Sequence, residues 1–250
     1  MANKCAICGA EVNVFQAQKL ADGNYICRKN CRSKGMKIFD YVHADLPQVQ
    51  AHIAQVEKGT KLWEHYFVPK LKEKSKEKKL HNFTGNIYIA ADIGLMAVTQ
   101  VDYKFLLFGK TTRACVYRIA DIRDYEYEEE EKKTDNGTQK VMNMRVSFAN
   151  TEGMFEFREK LKGAGSYREF EKYMNQLFGI QKTVKNAKNT WKNQINAIGS
   201  VASGLKSAVT KGDDLSEKAA AAANAVDTAV MGDRTELIRK ADEALAAFRG

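Results

Sequence analysis

The sequence has no long apolar run. Across 250 residues the longest uninterrupted stretch, Ile93 to Val98, is six residues and includes a glycine, whereas a bilayer-spanning helix needs about 20. No segment is therefore expected to cross a membrane. A disulfide scaffold is equally hard to build, because four of the five cysteines crowd into the first 31 residues, a grouping that suits thiolates in a reducing compartment. Lys4 and two cysteines stand where a secretory leader would carry its apolar segment, so a cytoplasmic location is expected. Proline is scarce, with two residues in the whole chain. An apolar content of 44% and a charged content of 28% are those of a folded globular protein and exclude collagen-like or disordered chains.

Catalytic signatures are missing too. Gly109-Lys110-Thr111 has the ending of a phosphate-binding loop, but position 104, where that motif requires glycine, is Lys. The histidines His43, His52, His65 and His81 form neither a His-Glu-x-x-His pair nor a nucleophile-base spacing. Cys115 sits in the alternating run Arg113 to Arg118 and reads as a buried core thiol. Glu126 and Glu128 to Glu131, interleaved with Tyr125 and Tyr127, read as a strand with a solvated acidic face rather than a cation site. The chain is expected not to be an enzyme and to take no small-molecule substrate.

What is present begins with charge. The formal net charge is +9, of which residues 1–80 carry +7, residues 81–180 carry −1 and residues 181–250 carry +3. A basic excess at both ends permits contact with nucleic acid or an anionic membrane, without specifying either.

The cysteines form two turns, Cys5-x2-Cys8 followed by Gly9, and Cys27-x3-Cys31. Two such turns brought together offer four sulfurs in a tetrahedron, the shell zinc prefers, and a full shell makes the site structural. Zinc is therefore the expected cofactor, held by Cys5, Cys8, Cys27 and Cys31, with His43 as the substitute if Cys27 or Cys31 drops out. Behind this ribbon, Asp45 caps a short helix with Pro47 in its first turn and Val49, Ile53 and Val56 on one face, ending at Gly59. The lysine-rich stretch Lys70 to Lys79 follows as a solvated connector or helix extension.

From residue 82 to 149 the period changes to two. Strands are expected near Gly85 to Ala91, Leu95 to Gln100, Tyr103 to Phe108, Thr112 to Arg118, Arg123 to Glu130, Val141 to Ala149 and Met154 to Phe157, with a tight turn at Asn136-Gly137. Ser166 and Glu169 stand at capping-box spacing before the apolar stripe Phe170, Tyr173, Met174, Leu177 and Phe178. Residues 181–250 fit three helices, Val184 to Lys211, Leu215 to Met231 and Arg234 to Phe248.

This order of elements resembles a family of uncharacterised bacterial and phage proteins in which an N-terminal zinc ribbon precedes a pleckstrin-homology-like (PH-like) barrel. The resemblance covers residues 1 to about 179. It implies an α+β fold: a small four-cysteine zinc ribbon (1–35), a helical basic connector (36–80), a seven-stranded antiparallel PH-like β-barrel closed by the Ser166 to Phe178 helix (81–180), then an α-helical tail (181–250). Lipid-headgroup binding by the barrel is not expected, since Ala91 to Leu95 contains Asp92 and no basic residue.

The tail carries the other functional signal. Gln181 to Lys211 has six lysines and no acid, and Val184, Ala187, Trp191, Ile195, Ile198, Ala202, Leu205 and Val209 recur three or four apart, so an apolar stripe faces away from most of the charge. Trp191, Lys188, Lys192, Ile195 and Ile198 are the candidate partner-binding residues; packing on the rest of its own chain is the plainer alternative. The expected role is a non-catalytic scaffold or adaptor that docks a protein partner, a second copy of itself, or a peripheral membrane surface. The alternative is a nucleic-acid-binding regulator using Arg28, Lys29, Arg32, Lys34 and the lysine-rich connector, against which stands the lack of any aromatic residue in Lys70 to Lys79.

Overall fold

The computed structural model describes residues 3–73, 80–103, 109–134, 137–161, 164–178 and 234–250. Residues 1–171 and 235–250 form one compact unit and residues 172–234 another. The expected helices Val184 to Lys211 and Leu215 to Met231, and with them Lys188, Trp191, Lys192, Ile195 and Ile198, lie outside the described residues.

The chain opens with two small antiparallel hairpins, β1 (Asn3–Lys4) with β2 (Glu11–Val12) and β3 (Ala17–Lys19) with β4 (Tyr25–Cys27). Helix α1 (Leu46–Leu62) then starts where Asp45 Oδ1 accepts the Gln48 amide at 2.8 Å, with Pro47 in the first turn. Its buried positions are Val49, His52, Val56, Gly59 and Leu62, so His52 rather than Ile53 occupies the inner stripe. Gly59 does not end the helix. It lies against the backbone of a strand, where a Cβ would come within 2.3 Å of the Ala114 carbonyl oxygen. Next to it, Thr60 Oγ1 accepts the Ala114 amide at 3.2 Å.

One wider, π-helical turn over Trp63–Phe67 joins α1 to α2 (Val68–Lys72). Pro69 has no N–H for the carbonyl four residues back and its ring crowds that carbonyl, and a widened turn relieves both. The same turn stacks Trp63 on Phe67, centroids 5.4 Å apart, with both side chains buried. The expected extension into the lysine-rich stretch is helical as far as Lys72, and residues 74–79 lie outside the described residues.

Seven antiparallel strands follow. β5 (His81–Phe83), β6 (Ile87–Ala90), β7 (Leu95–Tyr103) and β8 (Lys110–Arg118) pair in sequence order as one sheet, and β9 (Ile122–Thr134), β10 (Gly137–Phe148) and β11 (Glu156–Leu161) as a second. The expectation of a closed barrel is corrected: among the described residues the two sheets share no ladder. Part of the physical reason is that α1 covers β8, taking up the Ala114 amide through Thr60. The sheets meet through side chains instead. Tyr117 of β8 stacks on Phe148 of β10 at 3.7 Å, and Phe170 sits edge-on to both Phe83 of β5 and Tyr125 of β9.

Several expected boundaries shift. Tyr103 ends β7 instead of opening a strand, and residues 104–108 lie outside the described residues. β5 was not anticipated, and β11 begins at Glu156, after Met154 has given its carbonyl to the Tyr117 hydroxyl at 2.9 Å. The β9–β10 register pairs Thr134 with Gly137, so Gly137 opens β10 and is not a central turn residue. Helix α3 (Ala164–Leu177) starts before Ser166, which places that serine inside the first turn and not at the cap. Of the expected stripe, Phe170, Met174 and Phe178 are buried and Tyr173 and Leu177 only half-buried, while Tyr167 joins the buried face.

The last helix, α4 (Thr235–Ala247), joins the first compact unit. Ala241 and Ala244 enter a cluster with Trp63, Phe67, Ala90, Leu95, Ala97 and Ala114, small side chains allowing close approach. Gly94, at φ 63°, is the point of tightest fit: a Cβ would lie 2.4 Å from the Leu237 carbonyl oxygen. Tyr66 donates to the Ala244 carbonyl at 2.6 Å and Arg118 pairs with Asp242 at 2.9 Å.

The contact at Gly59 yields a prediction. Gly59→Ala should lower stability by about 1–3 kcal/mol, the usual cost of forcing atoms into a filled space, although alanine favours a helix. A denaturation midpoint equal to or above that of the natural protein would show that α1 and β8 do not approach this closely.

Candidate metal centre

Both cysteine turns are placed by the small hairpins. Cys5 follows β1, the Gly9 amide donates to the Cys5 carbonyl at 2.8 Å, and the Cys5 amide donates to the Ala10 carbonyl at 2.8 Å. Gly9 adopts φ 73°, a left-handed conformation that glycine reaches without strain. The two hairpins are joined by the Ala6 amide donating to the Tyr25 carbonyl at 2.8 Å. Cys27 ends β4, and Cys31 stands at the start of a 3-10 turn over Arg32–Lys34.

All four sulfurs lie within 4.8 Å of one another. Cys5 Sγ is 3.7 Å from Cys31 Sγ, and Cys8 Sγ is 3.6 Å from Cys27 Sγ. Sulfurs about 2.3 Å from a central zinc ion span tetrahedron edges of about 3.8 Å, so these spacings match a metal shell and are far too long for a disulfide at about 2.05 Å. Two amides point at the sulfurs, Cys27 N–H to Cys5 Sγ and Cys31 N–H to Cys27 Sγ, each at 3.3 Å. Cys5, Cys27 and Cys31 are buried and Cys8 is exposed.

The electrostatics agree with the geometry. Burial works to raise the Cys5 thiol, but hydrogen bonds from the backbone of Cys8, Cys27 and Ile7 outweigh it and hold the group down at about 6. Cys31 is pushed up, first by burial and then by the other three sulfurs. Four thiolates so close together repel one another, and a divalent cation at their centre removes that conflict. The four cysteines therefore form a centre that could bind a metal ion, and sulfur-only ligation in this geometry points to zinc.

His43 is not part of the cluster. It is exposed and its Nδ1 lies 2.7 Å from Asp40 Oδ2, so the substitution held open for it is not realised. Cys115 is fully buried and its thiol is pushed up to about 12 by burial.

His52 was missed as a structural residue. Fully buried on α1, it stacks on Phe39 at 4.1 Å and accepts the Met36 amide at Nε2 at 3.0 Å. That contact, with buried Met36, Phe39 and Tyr41, seats the cysteine module on α1. An apolar helical stripe interrupted by a histidine was the available signal. Lys37 adds a second tie, its amide donating to Gln100 Oε1 at 2.6 Å and its ammonium to Asp102 at 2.7 Å.

The comparisons fall on this module. Residues 4–52 match the domain of unknown function DUF4428. The matched stretch runs from one residue before Cys5 to His52, so it takes in the four sulfurs and the histidine that seats them. No curated protein and no solved structure matches the chain.

Two predictions follow from these contacts. Cys8→Ser should abolish stoichiometric zinc in elemental analysis and unfold the ribbon, leaving the paired sheets, whose cores hold no metal ligand, with their strand signal in circular dichroism. Full zinc occupancy in that variant would exclude Cys8 as a ligand. Burial also holds the His52 imidazole down to about 4, below its usual 6.5. The unfolded chain then takes up this proton first, so stability present above pH 6.5 is lost as pH falls toward 4. The loss attributable to His52 is about 3 kcal/mol. His52→Gln, which keeps an acceptor for Met36, should flatten that part of the pH profile; an unchanged slope between pH 6.5 and 4 would assign the acid sensitivity elsewhere.

Proposed function

We propose that the protein is a non-catalytic, zinc-stabilised scaffold that docks a protein partner, a second copy of itself included, through the basic amphipathic segment around Trp191. The observation that carries the non-catalytic reading is the sulfur shell. Four ligands at tetrahedral spacing leave zinc no position for substrate or activated water, so the metal would hold structure. A PH-like assignment for residues 81–178 belongs to the same proposal. It is supported by the order of a four-strand meander, a three-strand meander and a following helix, with Phe170 set between the two sheets.

The preference for a protein partner rests on the stripe itself. In a helix read from the sequence, Ala187 and Ala202 would keep it shallow, which would allow close helix packing and give little depth for insertion into lipid. Lys188 and Lys192 beside Trp191 would steer an acidic partner or the chain's own acidic surface. Burial of Trp191 and Ile195 would carry the affinity, and such binding resists salt better than a purely ionic contact.

Nuclease-treated full-length protein and a Trp191→Ala variant, compared by sedimentation velocity and by affinity capture at rising salt, test this reading. Loss of self-association or of a defined captured protein in the variant, with zinc content and melting temperature unchanged, is the expected result. Nucleic acid retained at high salt by both proteins would overturn it in favour of a nucleic-acid-binding regulator.

A further inference from the structure

The ribbon ends in an apolar point. Between β2 and β3 the chain turns at Asn13, whose Oδ1 accepts the Phe15 and Gln16 amides, each at 3.0 Å. Val14 and Phe15 project from this turn with relative exposures of 66% and 85%, the highest of the large aliphatic and phenylalanine side chains among the described residues. Their neighbours Val12 and Ala17 point inward and are buried. The turn is therefore fixed at its base and apolar at its tip, which keeps two water-averse side chains in solvent at a free-energy cost.

Basic groups flank that tip. Arg28 donates its amide to the Gln16 carbonyl at 2.8 Å and its Nε to the Ala17 carbonyl at 2.8 Å, which holds the guanidinium against the turn, and Lys29 beside it is exposed. Residues 3–35 contain six Lys and Arg against two acids, Glu11 and Asp22. Glu11 stands opposite Lys4 in the register of the first hairpin, and Asp22 accepts the Leu46 amide at 2.8 Å at the start of α1. The charge left beside the tip is positive.

We propose that the Val14–Phe15 turn, with Arg28 and Lys29, is a contact for an anionic lipid bilayer. An aromatic and an aliphatic side chain on a protruding turn match the boundary between headgroups and acyl chains, while the cations beside them meet lipid phosphates and carboxylates. A strand of nucleic acid would need several aromatic platforms along a basic groove, and a single convex tip offers one. The proposal does not depend on the Trp191 segment: the two surfaces lie on different parts of the sequence and are removed by different substitutions.

The test uses zinc-loaded full-length protein floated with phosphatidylserine-containing vesicles and with pure phosphatidylcholine vesicles. Binding to the anionic vesicles alone, weakening with salt, is expected. Phe15→Ser should reduce that binding about tenfold or more, the equivalent of withdrawing one large apolar side chain, and Lys29→Glu should reduce it further at low salt. Both positions are exposed, so zinc content and melting temperature should not change. Trp191→Ala should leave flotation intact, and Phe15→Trp should gain a blue-shifted emission component when anionic vesicles are added. Absence of flotation, equal flotation of Phe15→Ser, or an unshifted Phe15→Trp spectrum would each overturn the proposal.

Discussion

The approach of α1 to its neighbours is the constraint from which the rest of the first compact unit is arranged. Three glycines mark the places where the helix would otherwise collide. At Gly59 a Cβ would strike the β8 backbone, at Gly35 it would come within 2.8 Å of the His52 ring, and at Gly153 it would reach 2.6 Å from Gln55 Oε1. A cysteine ribbon, the edge of a four-stranded sheet and the loop ahead of β11 all lean on this one helix. Gln55 secures the third contact by accepting the Met154 amide at 2.8 Å. Because packed interiors leave no slack, each of these three neighbours restricts where the other two can lie.

The cysteine cluster and His52 act on the same joint, one within the ribbon and one at its seat on α1. A segment the size of the ribbon cannot bury enough apolar surface to stay folded alone, so zinc would supply most of its stability. Its docking onto α1 rests on an imidazole kept neutral between Met36 and Phe39. Acid would weaken both attachments, protonating the cysteine sulfurs that would hold the metal and the ring at the interface. Lys37, Asp102 and Arg113 add an ionic tie to the first sheet that is partly screened by solvent and contributes little by comparison.

The parts of the fold legible in the sequence were those set by local chemistry. Cysteine spacing marked the candidate metal centre, Asp45 and Pro47 the start of α1, and the period of two across Val141 to Ala149 the strand β10, in which Met144, Val146 and Phe148 are buried and Met142 is half-buried. Features decided by distant contacts were not legible. Gly59 reads as a helix terminator until β8 lies beside it, and Ser166 with Glu169 reads as a cap until the helix is seen to begin earlier. The separation of seven strands into two sheets, with α1 lying against β8, is recorded in no strand pattern. Likewise, nothing in the alternation of the terminal alanines names Gly94 and Trp63 as their destination.

Docking of α4 changes how the chain between α3 and α4 is held. The start of α3 and all of α4 belong to the same compact unit, so residues 179–233 are tethered to it at both ends. A force applied to that stretch is divided between two attachments of different character. Through α4 it meets a close-packed alanine face with the Arg118–Asp242 pair and the Tyr66 hydrogen bond; through α3 it meets Phe170 lodged between two sheets. Whatever pulls on the middle of the segment loads both attachments at once, as a strap fixed by two rivets does, and the weaker rivet sets the load at which it gives way.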